Sequence, residues 1–155
     1  MTRYVIDIEA DSLDATYIWV ACICDADNDK DIRSFRDAAS FVAAVDLEKD
    51  TFIAHNGIDF DFPVLEKLWH LEIKNKVDTL VLSRLFNPDR SGGHSLGAWG
   101  ERLGYGKIDF NKFDAYSEEM REYCEQDVYI TVQLYKHLLQ EGVDFSQQSI
   151  ELEHA

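Results

Sequence analysis

The chain has 155 residues, a length that suits one compact domain. Hydrophobic residues make up 46% of it, which predicts a globular fold, and no apolar run reaches the roughly 18 residues that a membrane span needs. Acidic residues number 30 against 15 basic ones, for a formal net charge of −15. Because Lys and Arg supply most of the affinity for phosphates, this charge predicts weak free-standing DNA binding unless metal ions or a basic partner offset it.

The order of strand-like and helix-like patterns predicts an α/β fold. Runs of β-branched and aromatic residues indicate strands, and apolar residues at helical spacing behind a capping residue indicate helices. The predicted elements are strands at 3–9, 16–24 and 32–35, a helix after Asp37, a strand at 51–54, a helix at 63–70, a strand from Val77, helices at 80–86 and 95–104, and a long helix from Ser117. We therefore expect a mixed five-stranded sheet flanked by helices.

The remaining segments are predicted to be irregular. Residues 87–93 are rich in turn formers and are expected to be a mobile loop, and residues 105–116 form an aromatic stretch without periodicity. The domain is predicted over residues 1–142. Residues 143–155 are expected to form a polar tail, in which Leu152–His154 could be a cloning remnant.

The cysteines and the N-terminus favour a cytoplasmic protein. Cys22, Cys24 and Cys124 have neither disulfide-like nor zinc-like spacing, so core packing in a reducing compartment is expected. The first apolar run is too short for a secretory signal, because Asp7 and Glu9 interrupt it.

The first acidic pattern is D-x-E, formed by Asp7 and Glu9 on the first strand. Because side chains alternate along a strand, these two carboxylates share one face with Val5. In an apolar, central strand they would repel each other in poor solvent, and a bound divalent cation would relieve that repulsion. The alternative is that the strand ends here and both carboxylates face water.

Two further acidic patterns follow along the chain. Residues 55–63 (HNGIDFDFP) join an apolar strand to a helix, and Gly57 is expected to permit a tight turn there. Asp61 could serve a site or simply cap the helix. On the last helix Tyr123 and Asp127 are four residues apart and share a face. Asp127 could instead be a buried residue bonded to a backbone amide or to Tyr123.

In combination, the motifs D-x-E, N-x-x-x-F-D-x-P and Y-x-x-x-D resemble the DEDD, or DnaQ-like, exonuclease superfamily of the RNase H-like fold. Residues 7–13 (DIEADSL) are similar to the first motif of the proofreading domain of bacterial DNA polymerase I. Four more segments resemble the exonuclease domain of T-seven-type phage family A DNA polymerases, namely residues 55–65, 78–85, 95–104 and 123–128.

The resemblance runs from about residue 4 to about residue 140. Two departures stand out. No polymerase domain follows, so we expect either a separate gene product or an excised domain. The loop at 87–93 is also shorter than in that family.

The resemblance implies a 3′–5′ exonuclease that uses two Mg²⁺ or Mn²⁺ ions about 3.5–4 Å apart. It assigns the metal ligands as Asp7 for both ions, Glu9 and Asp127 for the ion that holds the attacking water, and Asp61 for the second ion. Tyr123 would orient that water, since a phenol with a pKa near 10 is a poor base at neutral pH. The superfamily's other branch has a histidine where Glu122 stands, so the chain resembles the tyrosine (DEDDy) type.

The resemblance also implies substrate contacts. Leu13 would wedge against the terminal base, unless it is a core leucine; Asn56 and Phe60 would shape the strand channel, although Phe60 could be core alone. The expected partners are single-stranded DNA 3′ ends and a separate DNA polymerase chain, with no membrane, in the bacterial host cytoplasm if the protein is of phage origin. No His or Cys is expected near the carboxylates, which predicts a preference for hard ions.

Three other functions remain open at this point. A ribonuclease similar to RNase D would have the same fold and metals but would act on RNA ends. A non-catalytic docking subunit would be expected to have lost at least one of the five candidate catalytic residues. An acidic DNA mimic would explain the charge but not the placement of those residues.

Overall fold

The computed structural model describes the backbone of residues 1–154 and the side chains of residues 1–143. In this part of the chain five strands form one mixed sheet in the order β3-β2-β1-β4-β5. The strands are β1 (Arg3–Ala10), β2 (Ile18–Asp25), β3 (Ile32–Phe35), β4 (Thr51–Ala54) and β5 (Asn75–Asp78). The first three pair antiparallel, and β4 joins β1 and β5 in parallel, which confirms the predicted mixed sheet.

The central strand β1 separates two apolar cores. Tyr4, Ile6 and Ile8 pack on one face, together with Phe52 and other large side chains beneath α1 and α2. On the other face Val5 packs against the long final helix. The predicted alternation along β1 is therefore confirmed, and its second face is apolar only at the N-terminal end of the strand.

Five helices flank the sheet. They are α1 (Ala38–Ala44), α2 (Asp61–Leu68), α3 (Thr79–Phe86), α4 (Leu96–Leu103) and α5 (Glu118–His154). The predicted caps are confirmed at α1 and α4, where the side chains of Asp37 and Ser95 accept backbone N–H bonds. Helix α2 begins at Asp61, two residues earlier than predicted. Pro63 is compatible with this start because N–H groups in the first turn have no partner within the helix, so the missing N–H of proline costs no hydrogen bond.

Two predictions about irregular segments have different outcomes. Residues 87–93 are irregular, as predicted, but Arg90 holds this loop against α4 and α5: its guanidinium stacks 4.5 Å from the Trp99 ring centroid and pairs with Glu141 at 2.9 Å. Helix α5 continues through the predicted tail. The side chains from residue 144 onward lie outside the described residues, so the boundary at 142/143 stays a prediction.

The expected core packing of the cysteines is confirmed. Cys22, Cys24 and Cys124 are all buried and unpaired by disulfides. No helix in the described part of the chain has an apolar stretch long enough to cross a bilayer.

Candidate active site

The two carboxylates of β1 point to the same side of the sheet, close to α5. Ligand atoms of Asp7, Glu9 and Cys124 all lie within 4.8 Å of one another. Asp7 is partly exposed, and Glu9 is buried. The alternative in which both carboxylates face water is therefore wrong, since α5 packs across this end of the strand.

The expectation that no cysteine lies near the carboxylates is also wrong. The Cys124 Sγ atom is 3.4 Å from the backbone oxygen of Asp7 and 3.5 Å from its Oδ2. The helical register explains this, since Cys124 follows Tyr123 on the side of α5 that faces β1. Burial raises the pKa of Cys124 well above its usual value, so the group is a neutral thiol that donates to Asp7.

Asp61 reaches the site from the first turn of α2. Pairing between β1 and β4 ends at Val5, which leaves the N–H of Ile8 without a strand partner on that side. The Oδ2 atom of Asp61 accepts this N–H at 3.1 Å. Asp61 is therefore a buried bridge between α2 and β1, and the alternative that it caps α2 is not what the structure shows, because the cap position is Phe60 and has no side-chain cap bond.

The turn before α2 depends on the backbone conformation of Asn56 and on the small size of Gly57. Asn56 has a positive φ of 62°, a conformation that asparagine tolerates better than most residues. Gly57 is needed for space rather than for a positive φ: a Cβ there would lie 2.6 Å from the Ala54 Cβ and 2.7 Å from the Phe62 ring. Gly57 therefore permits this tight turn, as expected, because it has no Cβ.

Asp78, which the sequence analysis did not select, fixes the same turn. Its Oδ1 accepts the N–H of Asn56 and of Leu80, both at 2.9 Å, and its Oδ2 accepts the N–H of Ile58 at 3.1 Å. One buried carboxylate thus caps α3 and clamps the segment that leads to Asp61. An Asp directly before a predicted helix was the available signal.

Asp127 and Tyr123 approach from α5, and a lysine accompanies them. The Nζ atom of Lys107 donates to Asp127 Oδ2 at 3.2 Å and to the Tyr123 hydroxyl at 3.5 Å. The Oδ1 atom of Asp127 is buried without a hydrogen-bond partner. Neither of the alternative partners considered for Asp127, a backbone amide or Tyr123, is therefore found. Lys107 lies in the irregular segment 105–116, where no sequence pattern indicated that it would reach the site.

The crowding of acids shifts their proton affinities upward. Desolvation raises the pKa of Glu9 to about 8 and that of Asp61 to about 7, although the Ile8 N–H lowers the latter in part. Desolvation, with repulsion from Glu9 and Asp127, raises the pKa of Asp7 well above its usual value. The pKa of Asp127 is also raised by desolvation, against the opposing effect of Lys107. Such a cluster of carboxylates is expected to bind cations.

These side chains line one open cavity of about 490 Å³. Its wall includes all five candidate catalytic residues and all three candidate substrate residues, which are Asp7, Glu9, Asp61, Tyr123, Asp127, Leu13, Asn56 and Phe60. A second cavity of about 330 Å³ adjoins it and shares Glu9, Leu13 and Phe60 with it. The sequence prediction therefore selected residues from three separate segments that the fold brings together.

The two cavities show which side chains are available to a ligand. Leu13 is 92% exposed, so the alternative that it is a core leucine is wrong. Phe60 is partly buried against the core beneath α2 and also lines both cavities. Phe113, which the sequence motifs did not indicate, lines the smaller cavity together with Leu13, and its ring centroid is 6.2 Å from that of Tyr123.

His55 also lines the larger cavity, so the expectation that no histidine lies near the carboxylates is wrong. Its ring nitrogens contact the Thr79 hydroxyl and the His94 backbone oxygen, each at 2.8 Å. Both nitrogens are thus engaged at the edge of the cavity, so His55 is not available as a metal ligand in this arrangement.

Comparison with known proteins agrees with this geometry. The profile of a 3′–5′ exonuclease family matches residues 3–142. The chain belongs to this 3′–5′ exonuclease family. The DNA-directed DNA polymerase of Enterobacteria phage T3 is 31% identical over 87% of the chain, and the chain spans only 26% of that polymerase. The resemblance to phage family A polymerases is thereby confirmed.

Solved structures confirm the fold. NrnC of Brucella melitensis, bound to pGG, superposes with a TM-score of 0.76 at 21% identity, covering 96% of this chain and 77% of that one. Escherichia coli RNase D, an exoribonuclease involved in structured RNA processing, gives 0.68 at 17% identity, covering 91% and 40%. These similarities show the predicted RNase H-like fold. NrnC has also been solved with bound Mg²⁺, and divalent-metal dependence is general for the exonuclease family.

Proposed function

We propose that this protein is a metal-dependent 3′–5′ exodeoxyribonuclease that hydrolyses phosphodiester bonds at single-stranded or frayed 3′ ends of DNA. The observation that carries the proposal is the convergence of Asp7, Glu9, Asp61 and Asp127 on one open cavity beside Tyr123. A docking subunit or an acidic DNA mimic would have no need to desolvate four carboxylates in this way.

The carboxylates suit two divalent ions. The unpartnered buried Oδ1 of Asp127 and the raised pKa values of the other three acids are the features that bound cations would relieve. We assign Asp7 to both ions, Glu9 and Asp127 to one, and Asp61 to the other. Bound Mg²⁺ or Mn²⁺ would supply Lewis-acid activation of water and stabilisation of the leaving oxygen. The four carboxylates offer only oxygen ligands, which supports Mg²⁺ or Mn²⁺ over softer metals.

Tyr123 positions water rather than deprotonating it. Desolvation and the charge of Asp127 raise the pKa of Tyr123 above its ordinary value, so the phenol keeps its proton at neutral pH. A protonated hydroxyl at the rim of the cavity can hold the attacking water by one hydrogen bond. The side chain is fixed for this task by Phe110 and Phe113, whose ring centroids lie 5.5 and 6.2 Å from its own.

The substrate proposal depends on the apolar walls of the two cavities. Leu13, Phe60 and Phe113 surround the smaller cavity and would contact the terminal base through its face. Such contacts tolerate every base, which an enzyme that trims any sequence requires. Asn56 lies beside the carboxylates and would contact the backbone of the strand. Preference for DNA over RNA rests on the relation to phage DNA polymerases.

The charge of the chain suggests how it works in its setting. With a formal net charge of −15, the protein is expected to hold long duplexes weakly at physiological salt and to work beside a DNA polymerase chain. If the protein is of phage origin, that setting is the bacterial host cytoplasm. Tight, salt-insensitive binding of a long duplex by the pure protein would contradict this part of the proposal.

The decisive experiment follows a 5′-labelled single strand incubated with Mg²⁺, with Mn²⁺, or with excess EDTA. A descending ladder of labelled products with either metal, and none with EDTA, is the expected result. Internal cuts at the earliest times would indicate an endonuclease, and full activity in EDTA would exclude the metal proposal. A matched RNA strand in parallel tests the sugar preference, since faster RNA cleavage would favour a ribonuclease similar to RNase D.

A further inference from the structure

One ammonium group enters the larger cavity, and the backbone that carries it is tethered. Lys107 follows α4, whose end is fixed by a left-handed Gly104 (φ 83°) and by the Tyr105 N–H, which donates to the Gly100 oxygen at 2.7 Å. Next to the lysine, the Gly106 oxygen accepts a bond from Gln126 of α5 at 2.9 Å. The position of Lys107 over Asp127 is therefore a product of the fold on both sides of the cavity.

Lys107 is the only Lys or Arg among the residues that line this cavity, all of which lie in the described part of the chain. The same wall carries five carboxylates, at Asp7, Glu9, Asp59, Asp61 and Asp127. Without divalent ions, Lys107 is thus the resident cation of a strongly acidic cavity. It is paired with Asp127 Oδ2 alone among those carboxylates, at 3.2 Å.

The ion pair between Lys107 and Asp127 is open enough for another cation to replace the ammonium. The Lys107 side chain is 31% exposed, whereas that of Asp127 is 6% exposed, so water reaches the ammonium but hardly reaches the carboxylate. An ion pair this open contributes little to stability. A divalent ion bound to Asp127 would repel the ammonium of Lys107 at close range. The ammonium would then need another anionic partner, and a substrate brings a phosphate into the cavity.

We propose that Lys107 is a catalytic residue that binds the phosphate of the scissile bond, and that it rests on Asp127 as a counter-ion until metal and substrate arrive. This inference rests on the proposed exonuclease function. The ammonium takes part in no proton transfer: it stays charged and offsets the negative charge that accumulates on phosphorus oxygens as the water oxygen attacks and the P–O bond to the preceding nucleotide breaks.

The test uses three variants of the full chain. Lys107→Met keeps the length and apolar character of the stem but removes the charge, and Lys107→Arg keeps the charge. Lys112→Met is the matched control, because Lys112 is exposed in the same segment and lines a different cavity. Folding of each variant is checked by circular dichroism, and Lys107→Arg carries the comparison if the methionine variant does not fold.

The counter-ion role is measured without substrate, by calorimetric titration with Mn²⁺. Lys107→Met should bind Mn²⁺ about two- to fivefold more tightly than the wild type, because the competing charge on Asp127 is gone. Lys107→Arg and Lys112→Met should match the wild type. Weaker Mn²⁺ binding by Lys107→Met would overturn this role, since it would mean that the lysine holds Asp127 in place for the metal.

The phosphate role is measured by single-turnover cleavage and by competition with a deoxynucleoside 5′-monophosphate in Mn²⁺. Lys107→Met should cleave about 10- to 100-fold more slowly and bind the monophosphate about tenfold more weakly, and Lys107→Arg should recover part of both. Unchanged monophosphate affinity in Lys107→Met would overturn the phosphate contact. If the wild type itself does not cleave, the exonuclease proposal fails, while the Mn²⁺ titration still decides the counter-ion role.

Discussion

The two sides of the cavity hold their carboxylates by different means. Asp61 accepts a backbone N–H from β1, and the turn before it is clamped by two N–H bonds to Asp78. Asp127, on the opposite side, is held by the ammonium of Lys107 and has one oxygen without a partner. Backbone bonds persist whatever ions are present, whereas an ammonium exchanges with other cations. The Asp61 side is therefore held rigidly by backbone bonds, and the Asp127 side is where the resident ammonium is expected to exchange with other cations.

The largest expected effect comes from variants that test whether Asp61, on the rigidly held side of the cavity, is a metal ligand. Asp61→Ala and Asp7→Ala should each reduce single-turnover cleavage by about 1,000-fold or more, because each removes a metal ligand, and Asp7 is assigned to both ions. Asp59→Ala is the matched control from the same turn: Asp59 is exposed, so activity should stay within about threefold of the wild type. An inactive Asp59→Ala beside an active Asp61→Ala would show that the wrong aspartate had been assigned.

A smaller effect is expected on the exchangeable side. Tyr123→Phe removes one hydrogen bond to water and leaves all four carboxylates in place, so cleavage should slow by about 10- to 1,000-fold. Mn²⁺ affinity, measured by calorimetry, should stay close to that of the wild type. A loss as large as that of Asp7→Ala would mean that the tyrosine does more than orient water.

The clamp of the fixed side can be weakened without touching a proposed ligand. Asp78→Asn replaces one of two accepting oxygens by an NH₂ group that faces a backbone N–H, so the free energy of unfolding should fall by about 1–3 kcal/mol. Urea unfolding measures this change. Asp37→Asn is the control, because Asp37 is exposed and asparagine caps a helix equally well. Equal stability of the two variants would contradict the clamp.

The last expected effect concerns the dependence of stability on pH and metal. In the metal-free protein the pKa of Glu9 rises from 4.5 to about 8 and that of Asp61 from 3.8 to about 7, so the folded state binds more protons than the unfolded chain between these values. Stability should therefore fall as pH rises from about 4 to about 8.

Thermal unfolding in EDTA across this range is the measurement. Millimolar Mn²⁺ at pH 8 should raise the melting temperature, because the metal binds only the folded carboxylates. A melting temperature that rises with pH in EDTA, or that ignores Mn²⁺, would count against a preformed acidic site.

Local patterns determined most of the fold. Alternation in β1 placed Tyr4, Ile6 and Ile8 on one face and Asp7 and Glu9 on the other, because side-chain direction in a strand is a property of the backbone alone. Helix caps were equally local, since a capping side chain reaches only the next few amides. The order of the three acidic motifs was enough to indicate the exonuclease family, which the comparisons confirm.

Long-range packing fixed how the site is supported. The contact of Lys107 with Asp127 joins residues 20 positions apart in sequence, and that of Cys124 with Asp7 joins residues 117 apart. The Asp78 clamp spans 22 residues to Asn56. Local sequence patterns do not depend on which distant group a side chain contacts. The contacts of a lysine in an irregular segment, or of a cysteine on a helix, therefore cannot be predicted from such patterns. The sequence motifs therefore indicated which carboxylates lie together, and packing fixed which of them is held by backbone N–H groups and which by an ammonium.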